Sequence, residues 1–425
     1  MYLRGSKFNM KRRKKGVNPF RIMVLFVLAG VGVYFSVFVV PTTPPLFIPT
    51  STATRAPESF ITDAQQLENN GKFTQAIASY KQASLADPKN PNIFLNLARL
   101  MIYTGSYDDA INNAENALLL NPNNSQGEAL RGYALGLQGN YLEAEGALQK
   151  AIEADANNAI GFAYYTEVLV MEITDQKDAL GALDKATQYS RTAQSLAPNL
   201  METHRARGDL LEITSNYEEA IAEFQAAIAI NPNIADLHLA LGRNYRNLQQ
   251  SGKAIEEFNR ANALNPFDPL PDSYISRTYL ANGEFPKAIQ YAAAAIKVSP
   301  NDPSLYGSLG VMYYHNKQYK EAVDPLRLAV RGGTTSDGNV VKGLPLDYGR
   351  ITEYYYTYGL ALAKTGSCTE ALQISQLILN NVPNDEDAVY NAQQMPKICQ
   401  ELITGTATPT REVTPGKAAT ATPKP

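Results

Sequence analysis

One pattern returns through most of this chain at an interval of 34 residues, and few folds can obey it. It opens with Gly71-Lys72-Phe73, then Ala76, Tyr80, Ala83 and Pro88. It recurs as Gly105-Ser106-Tyr107, Ala110, Ala114, Ala117, Pro122, and as Gly139-Asn140-Tyr141, Ala144, Leu148, Ala151. Later come Asn216-Tyr217, Ala220, Phe224, Ala227, Pro232; then Ala254, Phe258, Ala261, Pro266; then Gly283-Glu284-Phe285, Ala288, Ala292, Ala295, Pro300. Tyr319, Ala322, Leu326, Ala329 and Gly366-Ser367-Cys368, Ala371, Ser375, Ile378, Pro383 complete the series. Each residue type has a physical task. Glycine accepts the left-handed backbone that ends a first helix. The aromatic after it plugs the open end of a helical hairpin. Alanine lets the second helix approach the first closely, and proline stops it. One such hairpin cannot bury its own apolar face, but a stack of them buries a continuous core.

The period, with its Gly-x-Tyr, Ala, Phe/Tyr, Ala and Pro positions, resembles the tetratricopeptide repeat family over residues 57–385. The Trp usual in the first helix is absent and is replaced by Phe60, Phe94, Phe162, His204, His238, Tyr306 and Tyr355. The resemblance implies an all-α, right-handed superhelical solenoid of about nine helix–turn–helix repeats. A capping helix over Glu386–Leu402 follows, covering the last apolar face as a solenoid requires. Two units depart from the period. The fourth is over length near Thr174–Asp178, and the segment Arg331–Arg350 is inserted before the ninth. That insertion is either an ordered functional loop or a tolerated one. Its Ser336-Asp337-Gly338-Asn339 turn suits a small hairpin.

The N-terminus obeys different rules. Residues 1–21 carry eight bases and no acid, leaving 30 Lys and Arg against all 41 acids in the rest of the chain. An acidic body is not the electrostatic footprint of a nucleic-acid binder. Ile22 to Val40 holds 19 residues without a charge, about 28 Å as a helix, close to bilayer thickness. The rival is a cleaved signal peptide, whose apolar region is shorter and ends in a small-residue site; this run ends in Val39-Val40-Pro41-Thr42. The expectation is an uncleaved transmembrane helix over 22–40. The flanking bases then keep 1–21 cytoplasmic and place the repeats outside. Residues 41–57 form a Pro/Thr-rich linker, 58–402 the solenoid with its insertion at 331–350, and 403–425 a disordered Thr/Pro-rich tail.

No phosphate loop, zincin motif or nucleophile elbow occurs, and the repeats leave no stretch long enough for a catalytic domain. No enzyme, cofactor or metal site is expected. His204 and His238 read as packing residues without ligands at metal-binding spacing. Cys368 and Cys399 fall where neighbouring antiparallel helices meet; they are either a disulfide, which an oxidising compartment would favour, or two buried thiols.

The family resemblance implies a concave groove, lined by first helices, that takes a protein or peptide. Projected onto this chain, the groove carries Arg99, Arg205, Asp209, Arg243, Arg246, Asn247 and Arg277. Its guanidinium groups either capture carboxylates of an acidic segment or are ordinary solvated charges, some paired with Asp209 or Asp236. The full Lys/Asn carboxylate clamp of some relatives is not reproduced. Tyr314 and Tyr356, in the aromatic patch of Tyr313, Tyr354, Tyr355 and Tyr358, form a second candidate face. The expected function is a membrane-tethered, extracytoplasmic scaffold. A non-catalytic subunit of an envelope enzyme or transport complex is the alternative, and an enzyme with an unrecognised site is less favoured.

Overall fold

The computed structural model describes residues 18–34, 36–37, 55–175 and 181–405. The chain divides into two units, Met1–Ala56 and Pro57–Pro425. In the first, helix α1 covers Pro19–Tyr34 with every side chain exposed. The apolar run expected to span 22–40 continues past α1 into residues outside the described set, as do most of the basic segment 1–21, most of the linker 41–57 and residues 406–425 of the tail. Among the described residues no helix is long and apolar enough to cross a membrane.

The second unit is a solenoid of helical hairpins. Its helices pair in order: α2 (Pro57–Asn69) with α3 (Phe73–Ala86), α4 (Pro91–Tyr103) with α5 (Tyr107–Leu120), and α6 (Ser125–Leu137) with α7 (Tyr141–Ala154). Next come α8 (Ala159–Asp175) with α9 (Ala182–Leu196), α10 (Met201–Ile213) with α11 (Tyr217–Ile230), and α12 (Ala235–Asn247) with α13 (Ser251–Leu264). Last are α14 (Leu270–Ala281) with α15 (Phe285–Val298), α16 (Pro303–His315) with α17 (Tyr319–Arg331), and α18 (Arg350–Lys364) with α19 (Cys368–Asn381), capped by α20 (Glu386–Thr404). The alanines of the repeated pattern, from Ala76 through Ala110, Ala144 and Ala220 to Ala371, are all fully buried at the crossings. Side chains of Asn90, Asn124, Asp302 and Asp385 accept backbone N–H bonds at the starts of α4, α6, α16 and α20, supplying partners that the first helical turn lacks.

The turns show where the sequence pattern was too narrow. Gly71, Gly105, Gly139, Gly283 and Gly366 take positive φ between the helices of a pair. Ser215, Gln249 and Lys317 adopt the same left-handed conformation in the hairpins without glycine. That geometry costs roughly 1–2 kcal/mol for a residue with a Cβ, and the repeat packing holds it regardless.

Two irregularities shape the array. The first is α8, longer than its counterparts and buried along the whole run Ala163–Val170. It packs on both α6 and α10, with Val168 pressed against Gly136. The excess residues 176–178 of the fourth unit lie outside the described set. The second is the insertion: β1 (Gly332–Thr334) pairs antiparallel with β2 (Val340–Lys342), Gly333 opposite Val341. Val341 is buried with Tyr306, Leu328 and Ala329, fixing the hairpin to α16 and α17.

Candidate functional site

Side chains four or three apart on a helix share a face, and that spacing builds the inner wall. On α4 the stripe is Asn92, Asn96, Arg99 and Tyr103; on α2 it is Ile61, Gln65 and Glu68. A cavity of about 400 Å³ opens at the N-terminal mouth of this wall, lined by Gln65, Asn90, Asn92, Asn96 and Gln126 over Ile61, Ile93 and Leu95. Side-chain amides both donate and accept, so this lining can read a peptide backbone while the aliphatic floor takes apolar side chains.

Below the cavity the wall becomes charged. Arg99 donates from Nη1 to Glu68 Oε1 at 2.6 Å and from Nη2 to Asn96 Oδ1 at 3.3 Å, and its guanidinium lies 5.9 Å from the Tyr103 ring centre. Tyr103 donates to Glu202 Oε1 of α10 at 3.4 Å. A Cβ added at Gly71 would sit 2.7 Å from Asn233 Cγ, so the α2–α3 turn meets the loop before α12. The wall therefore curves enough for the first two hairpins to touch the fifth and sixth.

Arg205 lies at the centre. Its side chain is only 6 % exposed, and Nε donates to the buried Glu167 Oε1 at 2.9 Å. The guanidinium stacks over Tyr133 and Tyr164, 5.0 and 5.7 Å from their ring centres, and those rings stack on each other at 4.2 Å. Burial, and then the partial opposition of Arg205, leave the Glu167 carboxyl above its ordinary range. Arg205 Nη2 has no hydrogen-bond partner among the described residues. On α12, Arg243 makes a two-pronged bond to Glu212, 2.8 Å on each arm, and Asn244 adds a third donor to the same carboxylate at 3.1 Å. Asp209 stands 4.0 Å from Arg243.

The remaining candidates are spread further. Arg246 stacks 5.1 Å over Tyr274; burial lowers its affinity for its proton, and Arg350 and Arg243 add to that. Asn247 is exposed at the end of α12, and Arg277 is half-buried on α14. In the aromatic patch, Tyr354, Tyr355 and Tyr358 are core, whereas Tyr313, Tyr314 and Tyr356 are half-buried. Burial pushes the Tyr314 phenol up to about 12. Cys368 and Cys399 are joined in a disulfide with Cα atoms 5.7 Å apart, fastening α20 to α19.

Sequence reasoning named the arginines and offered Asp209 and Asp236 as their acids; Asp209 does stand 4.0 Å from Arg243, but the closest partners are the unnamed Glu68, Glu167 and Glu212. Arg99 and Arg243 each bond a glutamate 31 residues earlier, a spacing that recurs and was there to be found. His204 and His238, read as packing residues without ligands at metal-binding spacing, each bond through Nδ1 to one glutamate 19 residues later, Glu223 and Glu257, a pairing the sequence reading did not name. The asparagine stripe of α4 also went unremarked, because single amides carry no motif.

Tetratricopeptide repeat family models match residues 69–134, 275–337 and 235–268, and a TPR repeat model matches 208–248. No curated protein matches the chain in sequence. Among solved structures, the APC/C hetero-tetramer Cut9–Hcn1 is similar at 16% identity and TM-score 0.46, over 68% of this chain and 52% of that one. A Pseudomonas aeruginosa pilF structure is 19% identical with TM-score 0.39, over 48% of this chain and 90% of its own. A tetratricopeptide repeat protein from Parabacteroides merdae is 16% identical with TM-score 0.39, over 60% and 98%. With four family matches falling on hairpins already in register, this chain is a tetratricopeptide repeat protein.

Proposed function

We propose that the solenoid is a scaffold for protein–protein interaction, held at the outer face of a membrane by the apolar segment 22–40. The observation that carries the scaffold reading is the amide-lined cavity of about 400 Å³ at the mouth of the inner wall, continuous along α4 with the charged stripe below it. Such a surface reads main chain and side chain together, which suits an extended segment of a partner. Support for the tether is the uncharged run 22–40 behind eight bases, and support for placing the repeats outside is the Cys368–Cys399 disulfide, a bond that lasts in oxidising compartments. Catalysis has no part in this reading.

The test uses the full-length chain in its native membrane. After alkaline carbonate washing, the chain is expected to stay in the membrane pellet, and protease added outside is expected to remove the repeats. Proximity labelling from the solenoid is expected to return a defined set of proteins that is lost on substituting Asn92 and Asn96 by Leu. Release into the carbonate supernatant would sink the tether. A labelling profile unchanged by the Asn92→Leu, Asn96→Leu variant would sink this face as the binding surface.

A further inference from the structure

In a solenoid each hairpin packs on its sequence neighbours, and those neighbour contacts carry its stability. A seam among the described residues instead joins hairpins that are not neighbours. The α2–α3 turn lies against the loop before α12, where a Cβ added at Gly71 would sit 2.7–2.9 Å from atoms of the Asn233 side chain. Gly105, Gly139, Gly283 and Gly366 hold the same turn position with the same positive φ, and each faces open space. The crowding at Gly71 therefore belongs to this seam and not to the turn as such.

Phe73, straight after that turn, and Tyr103, at the end of α4, lie 5.8 Å apart between ring centres. Both pack against the apolar cluster of α10 to α14 that holds Met201, Ile234 and Leu237. The backbone N–H of Asn233 donates to Asn231 Oδ1 at 3.1 Å, which sets the loop. Tyr103 adds a hydrogen bond to Glu202 of α10, across 99 residues of chain; at 3.4 Å it is longer than the usual span for such a bond. The seam is thus a glycine turn, two rings and a long hydrogen bond. It is apolar enough to close in water, yet α2, α4, α10 and α12 are each also held by their own hairpin partners.

The seam lies across the path of a ligand. The amide-lined cavity is built from α2, from α4 with Asn90 before it, and from Gln126 of α6. The stripe that leaves it runs down α4 through Asn96 and Arg99 to Tyr103, where α4 meets α10. A partner segment that follows this stripe runs into the seam.

We propose that this seam is a latch. Closed, it ends the inner wall at Tyr103. A partner segment lying along α4 parts the first two hairpins from α10 and the loop before α12, so that opening and binding are one linked equilibrium. Binding to the closed chain then carries the cost of parting the seam, and a chain with the seam already open binds more tightly. This rests on the scaffold reading and adds a regulation to it.

The test measures opening and partner capture separately. Cys368 and Cys399 are bonded to each other, so Lys81→Cys on α3 and Asn259→Cys on α13, both at exposed positions, supply the cysteines that take spin labels. Distances between the labels are read by pulsed electron resonance on the full-length chain in detergent micelles. Asn233→Trp drives a wedge against the Gly71 turn, and Tyr103→Phe removes only the bond to Glu202. The wedge is expected to lengthen the distance, and Tyr103→Phe to shift part of the distribution the same way, both with unchanged helix content by circular dichroism. Proximity labelling of the wedge variant in the native membrane is expected to return the parent's partners at about threefold or more the yield, as when a binding-competent minority becomes the majority. If the wedge alone loses helix content, Tyr103→Phe decides by the same two readouts. Loss of helix content in both variants would make the seam part of the cooperative fold and overturn the latch. So would distances unchanged in both, or opened variants whose partner yield is no greater than the parent's. A distance shift with no partners from parent or variant would refute the scaffold reading, and the link to binding falls with it.

Discussion

The inner wall around Arg205 and the tyrosine block around α16 and α18 occupy equivalent places in one repeat frame, yet they are filled by opposite chemistry. In the block, the buried tyrosine hydroxyls find partners within the packed unit. Tyr306 donates to Pro300 O at 2.9 Å, Tyr355 to Leu344 O at 2.7 Å and Tyr358 to Glu370 at 2.6 Å, while Ser308 and Tyr354 share a bond of 3.1 Å. Among the described residues none of these hydroxyls is left without a partner. The wall instead carries buried ion pairs, and among the described residues Arg205 Nη2 and Asn244 Oδ1 are enclosed without a hydrogen-bond partner. A repeat array can thus fill the same position with hydrogen-bonded tyrosines in one unit and with buried ion pairs in another, since framework residues fix the fold and leave these positions to vary.

The largest break of this comparison is expected from Arg205→Met. It strands Glu167, 1 % exposed, as an uncompensated buried carboxylate, at a cost of about 3–5 kcal/mol. Adding Glu167→Leu should recover most of the loss, because both charges then go together. In the tyrosine block, Tyr354→Phe removes one satisfied hydroxyl and should cost about 1 kcal/mol. Denaturant unfolding of the three variants checks the order. If Arg205→Met were no more damaging than Tyr354→Phe, the wall would be no different in kind from the block.

Next in size is the disulfide. Reduction, or Cys399→Ser, should cost about 2–4 kcal/mol, confined to one end, because a solenoid's stability is a sum of neighbour terms. Hydrogen exchange should accelerate in α19 and α20 and stay unchanged in α10 and α12. Equal acceleration in both regions would show that the array unfolds as a single body.

These contrasts also separate what the residues revealed from what they hid. The hairpins were legible because each packs on its neighbours, so a local period of Gly, Tyr, Ala and Pro reports it directly. Even the β1–β2 turn falls on Ser336–Asn339, where turn chemistry is strongest. The acids opposite Arg99 and Arg243 needed the register between consecutive first helices, and that is a geometric quantity. Tyr103 to Glu202 was out of reach altogether: the bond joins α4 to α10 and depends on the bend around the buried α8, which no spacing encodes. The left-handed Ser215, Gln249 and Lys317 were hidden because glycine is the usual signal for that backbone.

A finer comparison uses glycines. Gly307 on α16 leaves room for Tyr354, whose Cδ2 would lie 2.5 Å from an added Cβ, whereas Gly146 on α7 faces open space. Gly307→Ala should overpack the block and cost about 1–3 kcal/mol. Gly146→Ala should stabilise by just under about 1 kcal/mol from helix propensity alone. Opposite shifts in melting temperature are the expected outcome; two destabilisations would mean that α7 is more constrained than its free surface implies.

The smallest effect should be Asp209→Asn, and its sign follows from burial. Burial first, then Glu167, hold the Asp209 carboxyl well above its ordinary value of 3.8, with Glu212 adding to this and Arg243 and Arg205 opposing it. The folded chain therefore binds that proton more tightly than the unfolded chain. Stability is lost as the pH rises from the unfolded value through the folded one and the acid is forced to ionise in place. Asparagine carries no such penalty, so the variant should melt higher than the parent at neutral pH. That advantage should shrink as the pH falls toward the ordinary carboxyl range, where both side chains are neutral. Melting curves across that range check the sign. A parent more stable than the variant at neutral pH would mean that Arg243, 4.0 Å away, already satisfies Asp209.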